Sequence, residues 1–241
     1  LSSAASDVYK RQAKTINYGV EQSKGQFVTF LDSDDEYLPT KVEKQLAKIQ
    51  SLPEEYGMVY CWMTYFDQET MKIDHIHNPQ VRGDVSELVV EKPVVSGTPT
   101  YFFRREAFLA NGGWKESEEI GIISDWEMGA RFCQKWKVDY VPESLINVYV
   151  NHGFTRMSEN RYYKQKLEKL IKFEKYFLQE FYNVFNKYPE RAYKHYYILS
   201  RALMLMGRYS EAWPYYKMLL FKRHTFKDIF LIPFCLTHKA E

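Results

Sequence analysis

Residues 27–39 read "FVTFLDSDDEYLP", an apolar, β-branched run that ends in the clustered carboxylates Asp32, Asp34 and Asp35. The stretch 27–31, which follows Gly25, has the composition of a short buried strand. Carboxylates this close repel one another, and each pKa rises unless something positive sits among them. Three arrangements answer the pattern. An EF-hand loop would use Asp32, Asp34, Glu36 and Glu43 as ligands, but the position that needs glycine holds Tyr37, and a strand precedes it where a helix belongs. A solvated strand-to-helix turn would hold acids near the positive end of a helix dipole. A cation site for a phosphorylated ligand would set hard oxygen ligands outside the carboxyl end of a strand, where α/β sheets bind their ligands.

The 241 residues are 45% hydrophobic and 17% aromatic, enough for one substantial core, or a core with an appendage. Lys and Arg number 33 against 31 Asp and Glu, a net charge of +2. With no RRM, zinc-finger or helix-turn-helix spacing, nothing points to nucleic acid. Cys61, Cys133 and Cys235 are odd in number and lie among apolar neighbours. They predict free buried thiols in a reducing compartment, hence a cytoplasmic protein. No apolar run reaches the ~18 residues of a membrane span; "IFLIPFCL" (229–236) is too short and contains Pro233.

Pro39 suits a first helical position, and Val42, Leu46 and Ile49 follow at helical spacing, ending near Leu52-Pro53. "GMVYCWMTYF" (57–66) reads as a second strand, with "DQET" turning into "MKIDHI". Residues 78–96 are polar and irregular. Residues 98–114 read as strand, short helix and Gly-Gly turn, 124–136 as a helix, and "VDYVP" (138–142) as a short strand ended by proline. This alternation predicts an α/β layer architecture. From Asn160 to Phe221 the pattern is helical. There Gly207, Tyr209, Ala212 and Tyr216, with Tyr196 and Leu199 upstream, have the spacing of one tetratricopeptide repeat, or of an ordinary helical hairpin. "SSAASDVYKRQ" (2–12) shares no pattern with the rest and back-translates into a transposase adapter used in sequencing libraries. The expected organisation is therefore an artefact at 1–12, an α/β domain at 13–155 entered part-way through, and a helical region at 156–241.

Three ordered stretches carry a resemblance: "INYGVEQSKGQFVTFLDSDDEYLPTKVEKQL" (16–46), "SGTPTYFFRREAFLANGGWKES" (96–117) and "SDWEMGARFCQKWKVDYVPESLINVYVNHG" (124–153). Together they resemble the family-2 glycosyltransferases of GT-A fold, whose pattern runs from R-N-x-G through F-L-D-x-D-D to F-R-R, G-G-F-D-E, E-D and a late histidine. The resemblance implies the C-terminal part of a Rossmann-like GT-A domain followed by a helical extension. It implies inverting transfer of a sugar from a nucleotide-diphosphate sugar to the hydroxyl of a saccharide or lipid-linked acceptor, in bacterial surface polysaccharide or glycoconjugate synthesis. It assigns Asp34 and Asp35 to a divalent cation, Mg2+ or Mn2+, and turns Asp32, Asn17 and His152 toward the donor. Asp125 becomes the general base, and Gly97, Thr98, Arg104 and Trp126 line the acceptor side. The cation would offset charge on the departing diphosphate while the base takes the proton of the attacking hydroxyl.

This chain departs from the pattern at Ser124, where the family has an acid, and at Ile16, where it has an arginine. The family's first nucleotide-binding half is absent, so the chain is expected to be inactive as it stands. On its own residues, Ser124 with Glu127 reads as a capping box and Asp125 as an acid in a first helical turn. A non-catalytic scaffold built on a degenerate transferase domain is the competing expectation; Ser124 favours it and the kept carboxylates oppose it. The tail at 219–236 sets Lys222, Arg223, His224 and Lys227 beside Phe221, Phe226, Phe230 and Leu231. That mix fits a peripheral contact with the cytoplasmic leaflet, or packing on the preceding helices.

Overall fold

The computed structural model describes residues 2–95, 97–117, 120, 124–150 and 163–222. It divides into a sheet unit, within residues 3–150, and a helical unit, within residues 163–222. In the sheet unit, helix α1 (Ser2–Gln22) carries the expected artefact on as helical backbone and buries Ala13 and Val20. Strands β1 (Phe27–Thr29), β2 (Asp35–Tyr37), β3 (Tyr56–Asp67), β4 (Lys72–His77), β5 (Phe102–Arg104) and β6 (Lys137–Val150) form one sheet in the order β1-β5-β3-β6-β2, with β4 pairing β3. β3 and β6 are parallel, β1 and β3 each run antiparallel to β5, and β2 runs antiparallel to β6. β1, β3 and β6 therefore point the same way and share one carboxyl edge. Helices α2 (Lys41–Gln50), α3 (Ser86–Glu91), α4 (Arg105–Ala110) and α5 (Ser124–Phe132) complete the unit.

Adjacent side chains of a strand face opposite sides of the sheet, and Phe102 and Phe103 show the result. Phe102 packs with Ile49 of α2, Val59, Cys61, Met63 and Ile146 on one face. Phe103 lies among Phe108, Trp114 and Phe132 on the other, with ring centroids 5.4, 6.3 and 5.0 Å away. Trp114 is thus part of the core. Cys61 and Cys133 are free and buried, and burial pushes the Cys61 thiol up to about 11.

Three local expectations change. α2 buries Lys41, Gln45 and Ile49, while Val42 is 46% exposed, so the inward face is turned by one residue from the apolar pattern. The buried Gln45 amide repays its place by donating to the carbonyls of Val59 and Thr100 at 3.2 and 2.9 Å. Asp35, expected in a strand-to-helix turn or at a cation site, belongs to β2 and pairs with Val148. β6 does not end at Pro142: it runs on to Val150, and the pairing jumps from Cys61–Val141 to Trp62–Ser144. Proline lacks the N–H a ladder needs, and the irregularity absorbs it.

The helical unit holds α6 (Tyr163–Glu180), α7 (Tyr182–Lys187), α8 (Tyr193–Leu205) and α9 (Tyr209–Lys222). Leu167 and Ile171 of α6 pack with Leu199, Ala202 and Leu203 of α8 and Ala212 of α9. Gly207 turns α8 into α9 at φ 73°, a conformation open to glycine. Glu174 and His195 form a buried pair, Oε2 to Nδ1, at 2.6 Å. Among the described residues no helix is long and apolar enough to cross a membrane. The tail from residue 223 lies outside the described residues.

Candidate active site

The turn after β1 carries the carboxylates to the shared carboxyl edge of β1, β3 and β6. The Asp35 amide donates to the Asp32 carbonyl at 3.2 Å, which closes the turn. Asp34 is exposed, and Asp32 is half-buried. Desolvation raises the Asp32 pKa above the usual aspartate value, and the charges of Asp34 and Asp125 raise it further. Asp125 opens α5, whose chain direction brings its N-terminus back to the same edge. The turn acids and Asp125 therefore act on one another across a single site.

Asp125 is held on both oxygens. Gly97 N–H donates to Oδ2 at 2.9 Å and Trp126 N–H to Oδ1 at 2.8 Å. Desolvation raises its pKa above the ordinary range, and these two donors and the nearby His77 partly offset the rise. Gly97 has φ 97°, a conformation that favours glycine, and the Met63 methyl carbon lies 2.7 Å from where a Cβ would stand. Thr98 follows in a single 3-10 turn (Thr98–Thr100), which the Thr100 hydroxyl ties back to the Gly97 carbonyl at 2.7 Å.

A polar network fixes the floor. Lys41, fully buried, sits with Nζ 3.0 Å from Thr29 Oγ1 and 3.9 Å from the Tyr37 ring centroid. Burial lowers its ammonium to about 8 and pushes the Tyr37 phenol up to about 12. The Tyr37 hydroxyl donates to the Phe30 carbonyl, which straps the two ends of the acidic turn together. Thr29 Oγ1 donates to the Tyr101 carbonyl at 2.7 Å, and the Tyr101 hydroxyl lies 3.1 Å from the Asp125 carbonyl. Tyr101 thus links the acidic turn to Asp125. Lys41, Tyr101 and His77 were not picked out from the sequence. Helical spacing gives no signal for Lys41, because the apolar stripe of Val42, Leu46 and Ile49 points to a different face.

The remaining expected residues are placed as follows. Asn17 is spent on the backbone: its Nδ2 donates to the Trp114 carbonyl and its Oδ1 accepts from the Trp114 amide, both at 2.8 Å. It clamps the Gly112–Gly113 turn, which corrects the donor-facing role. Arg104 is likewise corrected. It pairs with Phe27 at the start of β1, and its guanidinium donates to the carbonyls of Tyr56, Ile49 and Leu52 at 2.9, 2.8 and 3.2 Å, away from the carboxyl edge. Trp126 is buried with Nε1 on the Val89 carbonyl at 2.6 Å, a core anchor in place of an acceptor wall. His152 lies outside the described residues.

Among the described residues no group of three or more His, Cys, Asp or Glu side chains forms a cage for one ion. The acidic turn instead offers Asp32, raised by burial first and by the charges of Asp34 and Asp125 after it, with the solvent-exposed Asp34 beside it. That donor set fits Mg2+ or Mn2+, which are held by one or two carboxylates and complete their shell with substrate phosphate and water.

The model of the family described as glycosyltransferase like family 2 matches residues 2–206. An uncharacterised glycosyltransferase of Rickettsia typhi is 34% identical over 148 residues, 58% of this chain and 44% of its own length. An uncharacterised glycosyltransferase of Haemophilus influenzae is 30% identical over 128 residues, 51% of this chain and 41% of its own length. The chain thus spans less than half the length of these relatives. Among solved structures, S. aureus TarS 1–349 in complex with UDP-GlcNAc superposes with a TM-score of 0.53 at 12% identity, over 84% of this chain and 60% of that one. At that identity the likeness shows the fold, a GT-A-type α/β domain. With the sheet order, the acidic turn and the family match over most of its length, the chain belongs to the glycosyltransferase-like family 2.

Proposed function

We propose that the chain carries the cation-binding and acceptor-activating part of an inverting glycosyltransferase, which moves a sugar from a nucleotide-diphosphate donor to the hydroxyl of a saccharide or lipid-linked acceptor. Surface polysaccharide or glycoconjugate synthesis at the cytoplasmic face of the membrane is the setting this reading gives it. The observation that carries it is the topology, which sets the acidic turn after β1 and the N-terminus of α5 at the one carboxyl edge shared by β1, β3 and β6. The UDP-GlcNAc bound to TarS supports a nucleotide-sugar donor. Asp125, with its carboxylate fixed by two amides, takes the acceptor proton as the oxygen attacks the anomeric carbon from the side opposite the diphosphate. A raised pKa makes it a better base than a solvated aspartate. Asp34 and Asp35 would hold the divalent cation, with Asp32 beside them. When bound, that cation supplies charge stabilisation of the departing diphosphate.

The test is calorimetric titration of the chain with Mn2+ in the presence of pyrophosphate. Asp34→Ala is expected to weaken binding by at least about tenfold, as loss of a group that shapes a metal site does, with the far-UV circular dichroism unchanged. Equal affinity in both proteins would make the carboxylates a solvated turn and leave the scaffold reading in force.

A further inference from the structure

His77 ends β4 beside this site and has no role in the steps above. Its Nε2 is shut off from solvent and has no hydrogen-bond partner. A buried polar atom left in that state is unusual enough to need a cause. Three links bring it to Asp125. His77 stands opposite Met63 in the β3–β4 ladder, so the two side chains project from one face. The Met63 methyl lies against Gly97. Gly97 N–H in turn holds Asp125. Charge tells the same story from both partners: Asp125 favours the protonated ring of His77, and His77 favours the ionised Asp125. Burial outweighs this, with His75 adding to it, and lowers the His77 pKa below the ordinary histidine value. The ring is therefore neutral near pH 7, with one nitrogen to donate and one to accept. His75, the other histidine of β4, is engaged elsewhere, stacked on Tyr65 at 4.2 Å and bonded to Asp74 at 2.8 Å.

A carboxylate that removes a proton and a neutral imidazole beside it form a natural seat for a hydroxyl group. We propose that His77 is a substrate contact, its Nε2 hydrogen-bonding a hydroxyl of the acceptor next to Asp125. The acceptor class is a neutral polyhydroxylated molecule. That part rests on the transferase reading, whereas the nearness of His77 to Asp125 rests on the Met63 and Gly97 links of the fold.

Both parts are tested by NMR on the full 241-residue chain. The His77 ring is first titrated in the wild type and in Asp125→Asn. Removing a negative charge that favours the imidazolium is expected to lower the His77 pKa; an unchanged value overturns the pairing and the proposal with it. Methyl β-N-acetylglucosaminide is then titrated as a neutral hydroxyl probe, with the Gly97 and Trp126 amides as reporters. Saturable shifts are expected in the wild type, about tenfold weaker binding in His77→Ala, and most of the affinity restored in His77→Gln, whose amide reaches the Nε2 position. Absent shifts in the wild type, or equal affinity in His77→Ala, overturn the contact. Neither measurement needs metal or turnover, so a failed Mn2+ titration would count against the transferase reading and leave these results standing.

Discussion

Asp125→Asn is expected to lower turnover by about a thousandfold, within the range a general base contributes, while the KM for the nucleotide sugar holds. Asparagine keeps the size of the side chain and one amide contact at Gly97 or Trp126, but it cannot take a proton. The wild type gives a second readout. The base must be ionised to act, and desolvation raises its pKa. Activity is therefore expected to fall on the acid side, with a midpoint above the ordinary aspartate value of 3.8. Loss within tenfold of wild type, or an acid limb at that ordinary value, would remove Asp125 from the chemistry.

The largest effect on stability is expected at Phe103, with Phe103→Ala costing about 3–5 kcal/mol. Its ring is fully buried, with Phe132, Phe108 and Tyr101 at 5.0, 5.4 and 5.4 Å. The cavity left behind would open between β5, α4 and α5, elements too tightly seated to collapse inward. Urea unfolding followed by fluorescence measures it, at an unchanged denaturant slope. A cost below about 1 kcal/mol, the range of a tolerated swap, would mean that the aromatic face of the sheet is loosely packed. The same substitution disturbs Tyr101, whose hydroxyl reaches the Asp125 carbonyl, so lost stability and lost activity are expected to travel together.

The strands at 27–31 and 57–66, the helix after Pro39 and the Gly-Gly turn were legible because their signals are local: β-branching, helical spacing and positive φ. The acidic turn was legible for the same reason, since its anomaly lies within four consecutive positions. The register of α2 was not. An apolar stripe of Val42, Leu46 and Ile49 was the natural inward face, and only tertiary partners explain why Lys41 and Gln45 take that place. Asn17 and Arg104 show the limit most plainly. Each has the residue type and motif position of a ligand-facing group, yet Asn17 spends its amide on Trp114, 97 positions away, and Arg104 its guanidinium on carbonyls at least 48 away. Pairings of that range leave no trace in composition or spacing. Asp125 sits between the two cases: a first-turn acid by sequence, it is set apart by Gly97, 28 positions upstream, which brings a backbone donor to its carboxylate.

The central claim is that the acidic turn and Asp125 flank one reacting centre. Paramagnetic broadening by Mn2+ tests it directly, because the effect falls steeply with distance from the ion. With Mn2+ and pyrophosphate added to the chain, the amides of Asp35, Gly97 and Trp126 are expected to broaden together. Those of Glu54 and Glu55, at the opposite end of β3, are expected to stay sharp, and Asp34→Ala should restore every signal. Broadening of Asp35 that leaves Gly97 and Trp126 sharp, or a pattern indifferent to Asp34→Ala, would contradict the claim.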